Sequence, residues 1–214
     1  LGGVLEEQDP FGSKMVIDTV KDRALMYRII QDSKSSQLTT FEFNSDFRLV
    51  EEGDEGKYTI DLPGLAILSD MAATANYALF VQPAVSTSMQ FLFNKEPGKV
   101  VSTERAPAIL HLVPRVGSNK EPLSLEIPFD GVVEANLQFC NAYEEGSKIV
   151  FDAIRLDGSK KVKQARSSST TEWPFVSSQE DYNEKASNRS LWRYEVDLNS
   201  GTVNKRKLTD MQCY

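Results

Sequence analysis

Short runs of β-branched, aromatic and aliphatic residues recur along most of this chain, each closed by a turn signal. That rhythm limits the folds open to it more than any other feature. Arg23 to Ile30, Leu38 to Phe43, Lys57 to Leu62, Asn76 to Val81 and Met89 to Phe93 are such runs. Ala108 to Val113, Leu123 to Ile127, Gly131 to Phe139, Lys148 to Leu156, Leu191 to Val196 and Thr202 to Leu208 continue the series. Between them stand Asp32-Ser33, Glu52-Gly53-Asp54, Pro63-Gly64, Pro97-Gly98, Gly117-Ser118-Asn119, Asp157-Gly158 and Asn199-Ser200-Gly201. Branched and aromatic side chains lose rotamer freedom in a helix but pack well on a pleated surface. No segment keeps a helical apolar period over a usable length. The spacing predicts an all-β protein, as a sandwich, barrel or propeller. The clearest hairpin joins Trp192–Asp197 to Thr202–Lys207 across Asn199-Ser200-Gly201.

The 214 residues suffice for one large domain with a real core, and we read 1–214 as a single β domain. Its outlier is the polar stretch 158–190, rich in Ser, Thr, Lys and Glu, read as a long excursion between strands. Trp173-Pro174-Phe175 is the apolar anchor expected to pin it. A net charge of −7 repels a phosphate backbone, so nucleic acid is not an expected partner. No apolar run reaches the roughly 18 residues of a membrane span. Cys140 and Cys213 are too few for a disulfide framework and are read as reduced thiols, with a single bridge as the alternative. Glu51-Glu52-Gly53-Asp54-Glu55 reads as a solvated turn, since its spacing does not match a calcium loop. Lys160-Lys161-Val162-Lys163 and Lys205-Arg206-Lys207 read as loop and edge-strand charges, with an acidic partner or anionic lipid as the alternative. Asn188-Arg189-Ser190 fits a glycosylation sequon. No phosphate loop, nucleophile elbow or zinc spacing is present.

Two segments resemble the carotenoid cleavage oxygenases. The first runs from Leu62-Pro63-Gly64 through Ser69-Asp70-Met71-Ala72 to Thr74-Ala75-Asn76-Tyr77. The family reads Pro-Gly, a few apolar residues, His-Asp-Phe/Met-Ala, then Thr-x-Asn-Tyr. The second is Gln138-Phe139-Cys140-Asn141-Ala142-Tyr143-Glu144-Glu145 followed by Ile149-Val150-Phe151-Asp152, against His-x-x-Asn-Ala-aromatic-Glu and a strand ending in Asp. Leu110-His111-Leu112-Val113-Pro114-Arg115, Leu191-Trp192-Arg193-Tyr194 and the close at Cys213 add to the match, in the family's order. The resemblance implies a seven-bladed β-propeller whose axis holds one ferrous iron on four histidines, which activates oxygen to cleave a polyene double bond. This chain would supply three to four blades of antiparallel strands, a partial propeller.

At the places that can be compared, the ligands are missing. Ser69 stands where the histidine of His-Asp-Phe/Met-Ala belongs, and Gln138 where the histidine before Asn-Ala belongs. The first ligand would fall near Gly12 to Met15, where there is no histidine, and the fourth well beyond Tyr214. The family's Cys-Glu reads Cys213-Tyr214. The one histidine, His111, is not at a family ligand position and reads as a strand histidine facing solvent or bonded at an edge. Hydroxyl and amide are poor ligands for ferrous iron. The expectation is a non-catalytic member with no catalytic residues, no iron and no other bound cofactor, serving as a structural subunit. The alternatives are a metal-free carotenoid- or apocarotenoid-binding protein and, last, an active oxygenase. An open propeller exposes strand edges. Other protein subunits are therefore expected to cover them, in a setting such as a pigment–protein photosystem–antenna complex of the plastid, peripheral to the thylakoid, or otherwise inside the cell. An open ring would equally follow if further blades lie outside this sequence, or if the chain is a fragment.

Overall fold

The computed structural model describes residues 12, 14–31, 35–50, 56–87, 101–103, 106–134, 137–156 and 189–210, all strand, turn or loop. Three four-stranded antiparallel sheets carry the fold. Sheet 1 is an up-and-down meander of β1 (Val16–Asp18), β2 (Arg23–Gln31), β3 (Ser35–Asn44) and β4 (Lys57–Pro63). Sheet 3 repeats it with β11 (Gln138–Glu145), β12 (Lys148–Leu156), β13 (Arg189–Asp197) and β14 (Thr202–Asp210). Sheet 2 joins β5 (Ala72–Ala73), β6 (Tyr77–Gln82), β9 (Ala108–Pro114) and β10 (Leu123–Ile127), with the hairpin β7 (Val85–Thr87) and β8 (Val101–Thr103) inserted between β6 and β9.

The long strands form where the sequence predicts them. The Asn199-Ser200-Gly201 hairpin is in place, with Gly201 at a positive φ of 67°. Gly131 to Phe139 is a correction: residues 131–134 run outside any strand, and β11 begins only at Gln138 and continues through Glu145. Its valines lie in a loop that brings Glu134 beneath sheet 3. The run Met89 to Phe93, Trp173-Pro174-Phe175, the acidic turn at 51–55, the basic run at 160–163 and Cys213 lie outside the described residues. The polar stretch 158–190 ends in strand, since Arg189 and Ser190 open β13.

Sheet 2 is sandwiched. Leu79, Val81, Leu110, Leu112 and Ile127 pack against Ile149, Phe151, Ala153, Tyr194 and Val196 of sheet 3. Ala78, Phe80 and Val113 point the other way, against Leu25, Tyr27, Leu38 and Leu62 of sheet 1. A strand buried on both faces loses the apolar–polar alternation, which is why β6 and β9 read as nearly unbroken apolar runs. Aromatic rings fill the interfaces: Phe151 stacks on Tyr194 at 4.6 Å and Tyr27 meets Phe80 edge-on at 5.1 Å. The edge strands β1, β5 and β11 of the three sheets lie side by side, β5 touching both others.

Candidate functional site

The residues compared with metal ligands converge where these three edge strands begin. Lys14 lies just ahead of β1, Ser69 and Asp70 just ahead of β5, and Gln138 opens β11. Ser69 Oγ donates to the Leu137 carbonyl at 3.1 Å. Asp70 Oδ2 accepts from the Phe139 N–H at 2.8 Å, and Oδ1 accepts from the Met71 N–H at 2.8 Å. The Lys14 ammonium sits 2.9 Å from Asp70 Oδ1. Ser69 and Gln138 are exposed, as is Cys140, a free thiol beside them. Cys140 occupies a bulge in the β11–β12 ladder, and burial of its sulfur pushes the thiol pKa up, away from a reactive thiolate.

The other end of β11 is fastened to the same segment. The Glu144 carboxylate accepts from Thr74 Oγ1, from the Asn76 N–H at 2.8 Å and from Asn76 Nδ2 at 2.6 Å. Partial burial works to raise the Glu144 pKa, but these donors overcome it and hold the carboxyl below its ordinary range. Glu144 therefore secures the turn before β6. Toward sheet 1, buried Arg115 donates to Glu42 at 2.9 and 3.2 Å, to Asp18 at 2.6 Å and to the Thr74 carbonyl at 2.7 Å. Lys21 Nζ reaches the Ala75 carbonyl at 2.6 Å. Residues 69–76 thus form a strap along which all three sheets are tied. A hollow of about 240 Å³ beside it is lined by Val16, Ile17, Val20 and Ala73, with Asp18, Lys21 and Thr74.

Ferrous iron of the kind the resemblance implies does not fit these donors. The Ser69 hydroxyl is committed to a backbone carbonyl, Gln138 offers an amide, and an ammonium stands against the nearest carboxylate. No group of three metal-ligating side chains occurs among the described residues. His111 supplies nothing here, and its position corrects the expectation of a solvent-facing or edge histidine. It is 0% exposed on β9, an interior strand of sheet 2. Nε2 lies 2.8 Å from Gln82 Oε1 and Nδ1 2.9 Å from Ser124 Oγ. Gln82 Nε2 donates to the Pro63 and Leu65 carbonyls, so its oxygen faces the ring. Nε2 of His111 therefore carries the hydrogen. Burial lowers its pKa to about 4 and keeps the ring neutral.

A second polar cluster lies below sheet 3, and sequence reading missed it. Arg155 donates to Glu134 at 3.0 Å and Asp130 at 2.8 Å, and its guanidinium lies 3.7 Å from the Trp192 ring centre. Lys205 meets Glu134 at 2.6 Å, and Tyr194 OH donates to Glu134 at 2.8 Å. Lys205 is therefore internal, a correction to the reading of Lys205-Arg206-Lys207 as a solvated edge. Ser190 of the sequon is buried, with its hydroxyl accepting from Trp192 Nε1 at 2.8 Å.

Comparison with known proteins agrees with this architecture. The pattern of the retinal pigment epithelial membrane protein family matches residues 1–213. Apocarotenoid-15,15'-oxygenase of Synechocystis sp. is 28% identical over 221 aligned positions, covering 100% of this chain and 41% of the enzyme. Isoeugenol monooxygenase of Pseudomonas putida is 27% identical, covering 70% of this chain and 28% of its own length. A mutant structure of Synechocystis apocarotenoid oxygenase superposes with a TM-score of 0.71 at 27% identity, covering 96% of this chain and 40% of that one. The cobalt-substituted form of that enzyme gives 0.68 at 26% identity. The chain spans about two fifths of the Synechocystis relative's length. Its sheets are similar to blades of that β-propeller, with no closed barrel among the described residues. The chain belongs to the retinal pigment epithelial membrane protein family, the carotenoid cleavage oxygenases.

Proposed function

We propose that this chain is a non-catalytic carotenoid-oxygenase-like protein that acts as a structural subunit of a larger assembly. The observation that carries this reading is the state of the two former ligand positions. Ser69 is turned into a hydrogen bond that holds β11, and Gln138 opens that strand, while Asp70, Thr74, Asn76 and Glu144 around them keep their partners. The residues around the two positions keep their bonds, while a hydroxyl and an amide stand where the resemblance puts histidines, and this supports a non-catalytic role. Among the described residues no strand pairs with the outer side of β4 in sheet 1 or of β14 in sheet 3, and such edges suit backbone pairing with neighbouring subunits. The apocarotenoid in the Synechocystis relative's name favours a pigment-rich setting. Our proposal is a plastid photosystem–antenna complex, with the chain peripheral to the thylakoid membrane. No helix of the described residues is long and apolar enough to cross a membrane.

Two measurements test this. Native extracts separated by size at moderate salt are expected to carry the protein in a complex well above its own mass, and a free monomer in every fraction sinks the subunit reading. Elemental analysis is expected to find far less than one iron per chain. Stoichiometric iron with cleavage of an added apocarotenoid would return the protein to the oxygenases.

A further inference from the structure

The cluster at the start of β1, β5 and β11 contains a cation of its own. Asp70 is 6% exposed, and its carboxylate already receives the Met71 and Phe139 N–H groups. Burying a charge without a partner is costly, because desolvation costs several kcal/mol per ion. The structure sets Lys14 against it, with Nζ 2.9 Å from Oδ1 and the side chain 45% exposed. Lys14 comes from residues 12–15, the segment that would hold the first iron ligand by resemblance. The same carboxylate bonds β11 through Phe139, one residue beyond Gln138. Ser69, next to Asp70, bonds Leu137, one residue before it.

We propose that Lys14 is a built-in replacement for a metal ion: its ammonium neutralises Asp70 and locks the starts of β1, β5 and β11 together. The lock needs no soluble cofactor. It also resists one, because a divalent ion brought to Asp70 would sit against an ammonium at hydrogen-bond range. Arg at position 14 would keep the lock, since it keeps the charge and adds a fork that suits a carboxylate. A residue of similar length without charge would not.

The test is a double-mutant cycle on the full chain with Lys14→Met, Asp70→Asn and both together, read by hydrogen exchange at the Phe139 amide. Lys14 is half-exposed, so its variant keeps the core, and Lys14→Arg serves as the control should Asp70→Asn fail to fold. Each single variant is expected to speed exchange about tenfold, the double variant no more than the faster single one, and Lys14→Arg less than about threefold. Ferrous iron added without oxygen is expected to leave the wild-type melting temperature unchanged. Multiplicative effects of the two substitutions, with no iron uptake, overturn the lock and leave the non-catalytic reading standing. Saturable uptake of one iron per chain, with Lys14 becoming more reactive to amine reagents, overturns both.

Discussion

His111 shows what a single buried polar residue contributes. Both its ring nitrogens are bonded, and its partner Gln82 is tied in turn to the carbonyls of Pro63 and Leu65, so one side chain links sheet 2 to the end of sheet 1. Its folded pKa, about 4, is depressed below the ordinary 6.5. Above pH 6.5 the ring is neutral in both states and its contribution is fully present. As pH falls toward 4 the unfolded chain takes up the proton first and stability drains away. Between pH 7 and 4.5 the loss is about 2 to 3 kcal/mol from this group, at about 1.4 kcal/mol per pKa unit. Denaturant unfolding at the two pH values is expected to show it, and His111→Gln, less stable at pH 7, is expected to lose that part of the pH dependence. Glu144 acts in the same direction lower on the scale: its carboxyl is held below 4.5, so its contribution is present above 4.5 and lost as pH falls through the folded value. Glu144→Ala removes three donors' shared acceptor and is expected to cost about 2 kcal/mol by chemical denaturation. The sequence places both residues but not their partners. His111 pairs with Gln82 from 29 residues away and Glu144 with Asn76 from 68 away. No local pattern encodes such distances.

Strands divide into those the sequence announces and those it cannot. β2, β9, β12 and β13 are long runs of branched and aromatic residues and emerge within a residue or two of their predicted bounds. β1 and β5 have three and two residues, too short to show any period, and exist because neighbouring strands offer them a ladder. β11 fails for another reason. Its exposed, polar composition follows from its place at a sheet edge, and the bulge at Cys140 breaks its alternation. The motif around Ser69 and Gln138 was legible by resemblance; its use as a fastening was not, since that depends on which groups face Leu137 and Phe139. β12 carries the core of its sheet. Phe151 is fully buried between Phe139 and Tyr194. Phe151→Ala is expected to cost about 3 to 5 kcal/mol, seen as a lower denaturation midpoint at an unchanged denaturant slope.

At the scale of the whole molecule the sheets are joined by apolar faces and, along one side, by charged fastenings. Arg115 is the largest of these, bonding Glu42 and Asp18 of sheet 1 from the end of β9. Breaking a buried ion pair from one side strands the other charge, so Arg115→Met is expected to lower stability by about 3 to 5 kcal/mol. Adding Glu42→Leu to that variant removes the stranded charge and is expected to recover part of the loss, as read by thermal unfolding. These fastenings have a kinetic consequence. The β2–β3, β11–β12 and β13–β14 hairpins pair residues that are close in sequence, whereas the ties between sheets join residues as far apart as the 97 positions between Arg115 and Asp18. Closing such loops takes longer than closing a hairpin. Those hairpins are therefore expected to assemble early and the docking of the sheets to come last. In reverse, heat or force is expected to part the sheets along the strap at 69–76 before those hairpins come undone.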